Sequence, residues 1–193
     1  PVRPLDMDYV QVVRIHQLTE CWPKQIRDRR ACPYVVDQAT HTFTYTLHCG
    51  QRREDIVATA QANPGSLWLI GNEMDRYDWG GVNPYSKKGD PDSSGGQDEM
   101  LPELYAQAYH EFYHLIKTAD ETAQVGIGGI IQATPVRLAY LDTVWETYGD
   151  VYGEDMPVDV WNVHNFIFAE ECDNPGADIP PGCVAGSGEG ECE

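Results

Sequence analysis

The dipeptide Asn72-Glu73 is the strongest indication of chemistry in the sequence. It directly follows residues 66–71, a continuous apolar run that favours a strand buried on both faces. A carboxylic acid at the end of such a strand is costly to bury unless it has a partner or a task. Proton transfer is such a task, and the neighbouring amide can hydrogen-bond a hydroxyl group of a ligand. We therefore predict that Glu73 is a catalytic acid/base and that Asn72 binds substrate.

Further polar side chains follow other apolar runs of the chain. His164 and Asn165 come directly after residues 158–163, and His16 closes the first apolar run. Because the carboxyl ends of parallel strands meet at one rim of a sheet, we expect these three side chains to lie around Glu73. They are predicted to bind substrate.

Apolar and amphipathic segments alternate along the chain, which is typical of repeated β-α units. The predicted strands span residues 9–15, 66–71, 124–130 and 158–163. The predicted helices span residues 53–62 and 102–118, and a third begins at Thr134 and Pro135. Right-handed crossovers would place the strands side by side and parallel. A closed barrel needs about eight such units. The predicted fold class is therefore α/β of the (β/α)8 TIM-barrel type, with about the central half of the barrel in this chain.

We expect one domain over residues 1–168, followed by a Gly-, Pro- and Cys-rich loop or tail over residues 169–193. Two long loops decorate the domain, a Cys-containing loop at 17–50 and an acidic loop at 75–99. Trp79 lies in the acidic loop, shortly after the predicted acid/base. Its aromatic face is predicted to stack on a sugar ring.

No cofactor is predicted from the sequence. Residues 90–95 weakly resemble a calcium loop, but Leu101 stands where the EF-hand pattern requires Glu. Another structural calcium site in this acidic loop stays open. His110 and His114 have the i, i+4 spacing that can bind zinc on a helix. The sequence near them offers no third ligand, so we interpret them as part of a solvated helix face and predict no metal site.

The charge of the chain restricts its partners. The formal net charge is −18, and phosphate groups need clustered Lys and Arg, so nucleic acid and anionic membrane surfaces are disfavoured. A neutral carbohydrate remains compatible with such a surface. No apolar run approaches the roughly 20 residues that a membrane span requires.

The cysteines indicate an oxidising compartment. There are six of them, without a CxxC motif or a Cys/His spacing that suits zinc. Disulfides, and hence a secreted protein, are the preferred interpretation, with free buried thiols as the alternative. Pairing Cys21 with Cys32, and Cys172 with Cys183, would close two short loops.

Two segments resemble one enzyme superfamily. Trp68-Leu69-Ile70-Gly71-Asn72-Glu73 resembles the fourth-strand motif of the clan A retaining glycoside hydrolases, which are TIM barrels. Residues 159–165 are similar to the sixth strand of those barrels. The resemblance spans residues 9 to 168. It implies that Glu73 is the acid/base, that Asn72 binds the sugar 2-hydroxyl, and that His164 lies near the reacting centre.

One element of that superfamily has no counterpart in the sequence. Its nucleophile is a Glu at the end of the seventh strand, whereas no strand-like run follows His164. We assign no residue to this role. We expect further barrel polypeptide, or a partner chain, to supply the missing carboxylate. The alternative is a secreted, non-catalytic carbohydrate-binding or structural protein on a degenerate barrel.

Overall fold

The protein is described by a computed structural model over residues 9–20, 32–48, 50–77, 96–168, 170 and 180–182. In chain order, the elements are β1 (Val10–Val13), β2 (Ile15–Gln17), β3 (Tyr45–Leu47), α1 (Arg53–Ala62), β4 (Leu67–Asn72), α2 (Pro102–Ala119), β5 (Gln124–Gly129) and α3 (Pro135–Tyr152). The mixed α/β class is thereby confirmed. Within the described residues, we find no helix with the length and hydropathy that a bilayer crossing requires.

A parallel sheet organises the described part of the chain. Its strand order is β1-β4-β5, with β4 in the centre. Residues 158–163 continue the sheet only through two isolated parallel bridges, Gly126 with Val160 and Ile130 with Val163. The predicted side-by-side parallel arrangement is therefore right, while the prediction of a full strand at 158–163 is wrong. No closed barrel forms among the described residues.

Glycines on β5 explain how this last segment approaches the sheet. A Cβ at position 126 would lie 2.4 Å from the carbonyl oxygen of Val160. The backbone of residues 158–163 thus comes closer than any side chain would allow. Asp159 also connects this segment to β5, because its carboxylate accepts a hydrogen bond from the N–H of Val125 at 2.9 Å.

Buried tyrosines join the helices to the sheet and to its connections. The hydroxyl of Tyr105 on α2 donates to the carbonyl of Ile70 at 2.7 Å and accepts from the N–H of Gly128 at 3.0 Å. Tyr140 on α3 donates to the carbonyl of Met100 at 2.9 Å. Each ring therefore fills apolar space, while its hydroxyl satisfies backbone groups that water cannot reach.

The first predicted strand is shorter than expected. β1 ends at Val13, and the chain then enters β2, which pairs antiparallel with β3. Arg14 separates the two strands because its guanidinium turns to the buried carboxylate of Asp98, with Nε at 2.8 and 2.9 Å from the two oxygens. The Cys-containing loop accordingly contains paired segments, with an additional bridge between Val36 and Phe43.

Two further features of the fold were not apparent from the sequence. The acidic composition of the loop at 75–99 gave no sign that its described ends bury Asp75, Asp98 and Glu99. On α3, the spacing of the apolar residues Leu138, Leu141, Val144, Trp145 and Tyr148 predicts that they line the buried side, but Leu138 is 44% exposed and Arg137 is fully buried. The burial of Arg137 and that of Asp75 have one cause, because this arginine on α3 pairs with the Asp75 carboxylate from the loop.

That pair links α3 to the end of β4. Arg137 Nη1 lies 2.9 Å from Asp75 Oδ2, and Nε lies 2.7 Å from Glu170 Oε1. Asp75 also accepts from the N–H of Ile131 at 3.2 Å. Burial raises the pKa of Asp75, and the charge of Arg137 opposes that shift.

Replacing Arg137 by Met should therefore destabilise the fold by about 3–5 kcal/mol, because it leaves a buried carboxylate without its cation. Arg52→Met is the matched control. Arg52 pairs with Asp55, but the two side chains are 63% and 54% exposed, so its loss should leave the stability almost unchanged. Urea unfolding of the two variants measures both effects. Equal losses would contradict the structural role given to Arg137.

Candidate functional site

Glu73 occupies a constrained position at the carboxyl end of β4. Its backbone N–H donates to the carbonyl of Gly129 at 2.9 Å, so the residue still belongs to the edge of the sheet. Its φ of 49° lies in the left-handed region, which non-glycine residues rarely adopt. Strained residues of this kind persist where the surroundings fix them, and they cluster at functional sites.

The carboxylate of Glu73 is nearly buried and has two partners. The residue is 6% exposed. Oε1 lies 2.9 Å from Nδ1 of His164, and Oε2 lies 3.2 Å from Nη1 of Arg76. Glu73 and His164 thus meet at one rim of the sheet, as the sequence predicted. Arg76 is a member of the site that the sequence reasoning missed.

His164 reaches Glu73 across β5. Its backbone N–H donates to the carbonyl of Ile130 at 2.9 Å, which fixes the residue beside the end of that strand. Gly129 lies between the two side chains, and a Cβ there would stand 2.5 Å from the imidazole ring. A side chain at position 129 would therefore exclude the ring from its place. A glycine at position 129, within an apolar strand, is a sequence feature that could have indicated this contact.

Asn72 and Asn165 flank this contact. Asn72 is the last residue of β4, and its carbonyl accepts from the N–H of Asp98 at 2.8 Å. Its half-buried side chain makes no hydrogen bond to the described residues. Asn165 is exposed and has a φ of 59°, which turns the chain directly after His164.

His16 and Trp79 are the other two residues that the sequence predicted to bind substrate. His16 is buried on β2, where Nδ1 lies 2.6 Å from the carbonyl of Gln17 and the ring centroid lies 6.2 Å from that of His48. Burial raises the pKa of nearby Asp98 to about 6, while Arg14 and then His16 lower it. Trp79 lies outside the described residues, as does the calcium-like segment at 90–95.

A polar frame holds the segment that follows His164. Gln132 accepts from the N–H of Phe168 at 2.8 Å and donates to Glu170 at 3.0 Å. Glu170 also accepts from Thr134 at 2.7 Å and pairs with Arg137. The sequence placed Glu170 in a loop or tail, and the structure bonds it to Gln132, Thr134 and Arg137.

Of the six cysteines, Cys32 alone lies within the described residues. It is buried and disulfide-bonded. The preferred pairings therefore stay predictions. Comparison with protein-family models, curated proteins and solved structures found no match for the chain.

Gly129→Ala should displace the imidazole of His164 from Glu73 and cost about 1–3 kcal/mol of stability, because the added methyl overlaps the ring. Gly149→Ala on α3 is the control, since the nearest atom to a Cβ there lies 4.0 Å away. That variant should be neutral or up to about 1 kcal/mol more stable. Unfolding curves and the NMR shifts of the His164 ring report both effects. An unmoved ring in Gly129→Ala would refute the packing argument.

Proposed function

We propose that this protein belongs to a glycosidase that cleaves or transfers at a glycosidic bond with retention of configuration. Glu73 is the acid/base. In this proposal the parallel sheet is part of a TIM-type barrel, and carbohydrate binds at the rim formed by the carboxyl ends of its strands.

One observation carries the proposal, which is the contact between Glu73 and His164. Two side chains from distant parts of the sequence meet at the rim where parallel β-α folds hold their sites. A carboxylate held by an imidazole, on a strained residue with little exposure, has a fixed direction. Such fixation is what proton transfer to a positioned oxygen requires.

The proposed steps assign a defined role to each group. Glu73 donates its proton to the oxygen of the leaving sugar while a second carboxylate attacks the anomeric carbon. Glu73 then accepts a proton from water, which attacks the same carbon and releases the second carboxylate. His164 orients the carboxyl group, and the amide of Asn72 binds the sugar 2-hydroxyl, a contact that strengthens in the transition state.

The second carboxylate is assigned to polypeptide outside the described residues. A retaining site needs it about 5–5.5 Å from Glu73. Asp75 is committed to Arg137 and Ile131, and Glu170 to Arg137 and Thr134. We therefore give neither of them the role of nucleophile.

An exposed apolar surface at the end of residues 158–163, and directly after them, supports a larger assembly. Val163, Phe166 and Phe168 are about half exposed, and Ile167 is 96% exposed. Contiguous exposed apolar side chains of this kind mark a surface that another element covers. In our proposal that element is the next β-α unit, provided by further barrel polypeptide or by a partner chain.

A second candidate function is non-catalytic carbohydrate binding in a secreted protein. It is favoured because each carboxylate oxygen of Glu73 already has a partner: one contacts His164 and the other contacts Arg76. As an acid, Glu73 must present one oxygen to the substrate. Its contact with Arg76 therefore has to break when the sugar binds. A binding protein needs no such exchange.

Glu73→Gln in the full-length protein tests the proposal against a panel of aryl glycosides. General acid–base catalysis contributes about 10²–10⁴-fold, so turnover of glycosides with poor leaving groups should fall by that factor. Glycosides with a dinitrophenolate leaving group should lose much less in the first step, because that group needs no proton. Azide should restore the second step, because it attacks without a general base.

Glu146→Gln is the matched control, since Glu146 is an exposed carboxylate on α3. Its activity should equal that of the unmodified protein. Sugar binding without turnover in the unmodified protein would support the second candidate. Turnover that is unaffected by Glu73→Gln would eliminate Glu73 as the acid/base.

A further inference from the structure

Three potential metal ligands lie close together on α2 and just after the end of α3. His110 and His114 are one turn apart on α2, with ring centroids 4.3 Å from each other. Glu154 joins them from the end of α3. One ligand atom from each residue can be chosen so that all three lie within 4.8 Å of one another. The sequence-based statement that the histidine pair has no third ligand nearby is therefore wrong.

The turn after α3 is what brings Glu154 to the histidines. Gly153 caps the helix in the left-handed conformation, with φ of 72°, and its N–H donates to the carbonyl of Gly149 at 2.8 Å. Glu154 follows this turn directly. A contact between residues so far apart in sequence could not be read from the spacing of the histidines.

The ring of His110 is already oriented by neighbouring side chains. It stacks on Tyr152 with centroids 3.6 Å apart and an angle of 4° between the planes. Its Nδ1 lies 2.9 Å from the hydroxyl of Tyr148, which leaves Nε2 as the nitrogen for a metal. Metal-ligating histidines are typically held in this way, with one ring nitrogen bonded to a supporting group.

We propose that His110, His114 and Glu154 form a zinc site. Two imidazoles and one carboxylate are a common set of protein ligands for zinc, with water at the fourth position. Tetrahedral bonds of about 2.0–2.2 Å keep donor atoms roughly 3.3–3.5 Å apart. Small rotations of His114 and Glu154, which are both exposed, bring the three donors to that spacing. Calcium and magnesium prefer oxygen ligands and do not suit this set.

This site is separate from the one at Glu73. α3 begins just after the rim that carries Glu73 and runs back along the sheet, because the following segment places Asp159 beside Val125 at the start of β5. Glu154 therefore lies toward the opposite rim. A zinc ion there would connect α2 to the end of α3, and binding only to the folded chain would stabilise that chain. The inference does not depend on the proposed reaction.

Calorimetric titration of the untagged, chelator-treated protein with zinc chloride tests the proposal. We expect one zinc ion to bind per chain and the thermal unfolding midpoint to rise with zinc. Magnesium and calcium should have no such effect. His114→Ala and Glu154→Gln should each weaken zinc binding at least about tenfold, and Tyr148→Phe about 10–100-fold, because it removes only the supporting hydroxyl.

His41→Ala is the matched control, since His41 is exposed and lies far from the cluster in sequence. Its zinc affinity should be unchanged. Circular dichroism confirms that each variant is folded. The proposal is overturned if zinc does not bind at a single saturable site. It is equally overturned if His41→Ala weakens binding as much as His114→Ala does.

Discussion

The contact between Glu73 and His164 depends on a glycine that separates them. β4 and the segment around residue 163 are not neighbours, because β5 lies between them. Their side chains meet only because Gly129 has no Cβ to fill the intervening space. The same strand accepts the close approach of Val160 at Gly126. Backbone proximity on β5 thus determines both the path of the last segment and the geometry of the candidate site.

Buried ion pairs then hold the rim around this contact. Arg137 connects α3 to the turn after β4 and to Glu170, and Arg14 connects the end of β1 to Asp98. Each arginine compensates carboxylates that burial alone would make costly. The chain has 31 acidic and 13 basic residues, and some of its few arginines are used inside the fold. They fix the turn that carries Arg76 to Glu73 and the segment that contains Asp98.

Much of this fold follows from the sequence, because β-α alternation is encoded locally. Apolar runs predicted β4 and β5, and proline at the first helical position predicted where α2 and α3 begin. Glu73 and His164 were recognised since each directly follows an apolar run, and parallel strands end at one rim. Their placement at the same rim follows from topology, which right-handed crossovers determine.

The contacts that the sequence did not reveal are long-range and polar. Arg137 was hidden in a helix whose apolar positions suggested that Leu138 faced the core, and Glu170 lay in a segment without periodicity. Glu154 is brought to His110 and His114 by the turn at Gly153. None of these pairs has a local pattern, because each depends on how two distant backbones pack. Arg76 was missed for a different reason, since a charged residue in a polar loop gives no sign of the carboxylate it contacts.

The most direct test of the retaining mechanism is the crystal structure of the full-length Glu73→Gln variant with a bound oligosaccharide. The proposed mechanism predicts a glycosidic oxygen about 2.6–3.2 Å from the side chain at position 73, which is the reach of proton transfer. It also predicts the 2-hydroxyl of the adjacent sugar beside Asn72, and a carboxylate on the opposite side of the anomeric carbon. A sugar bound away from this rim, or one bound here without a second carboxylate in reach, would contradict the proposed retaining mechanism.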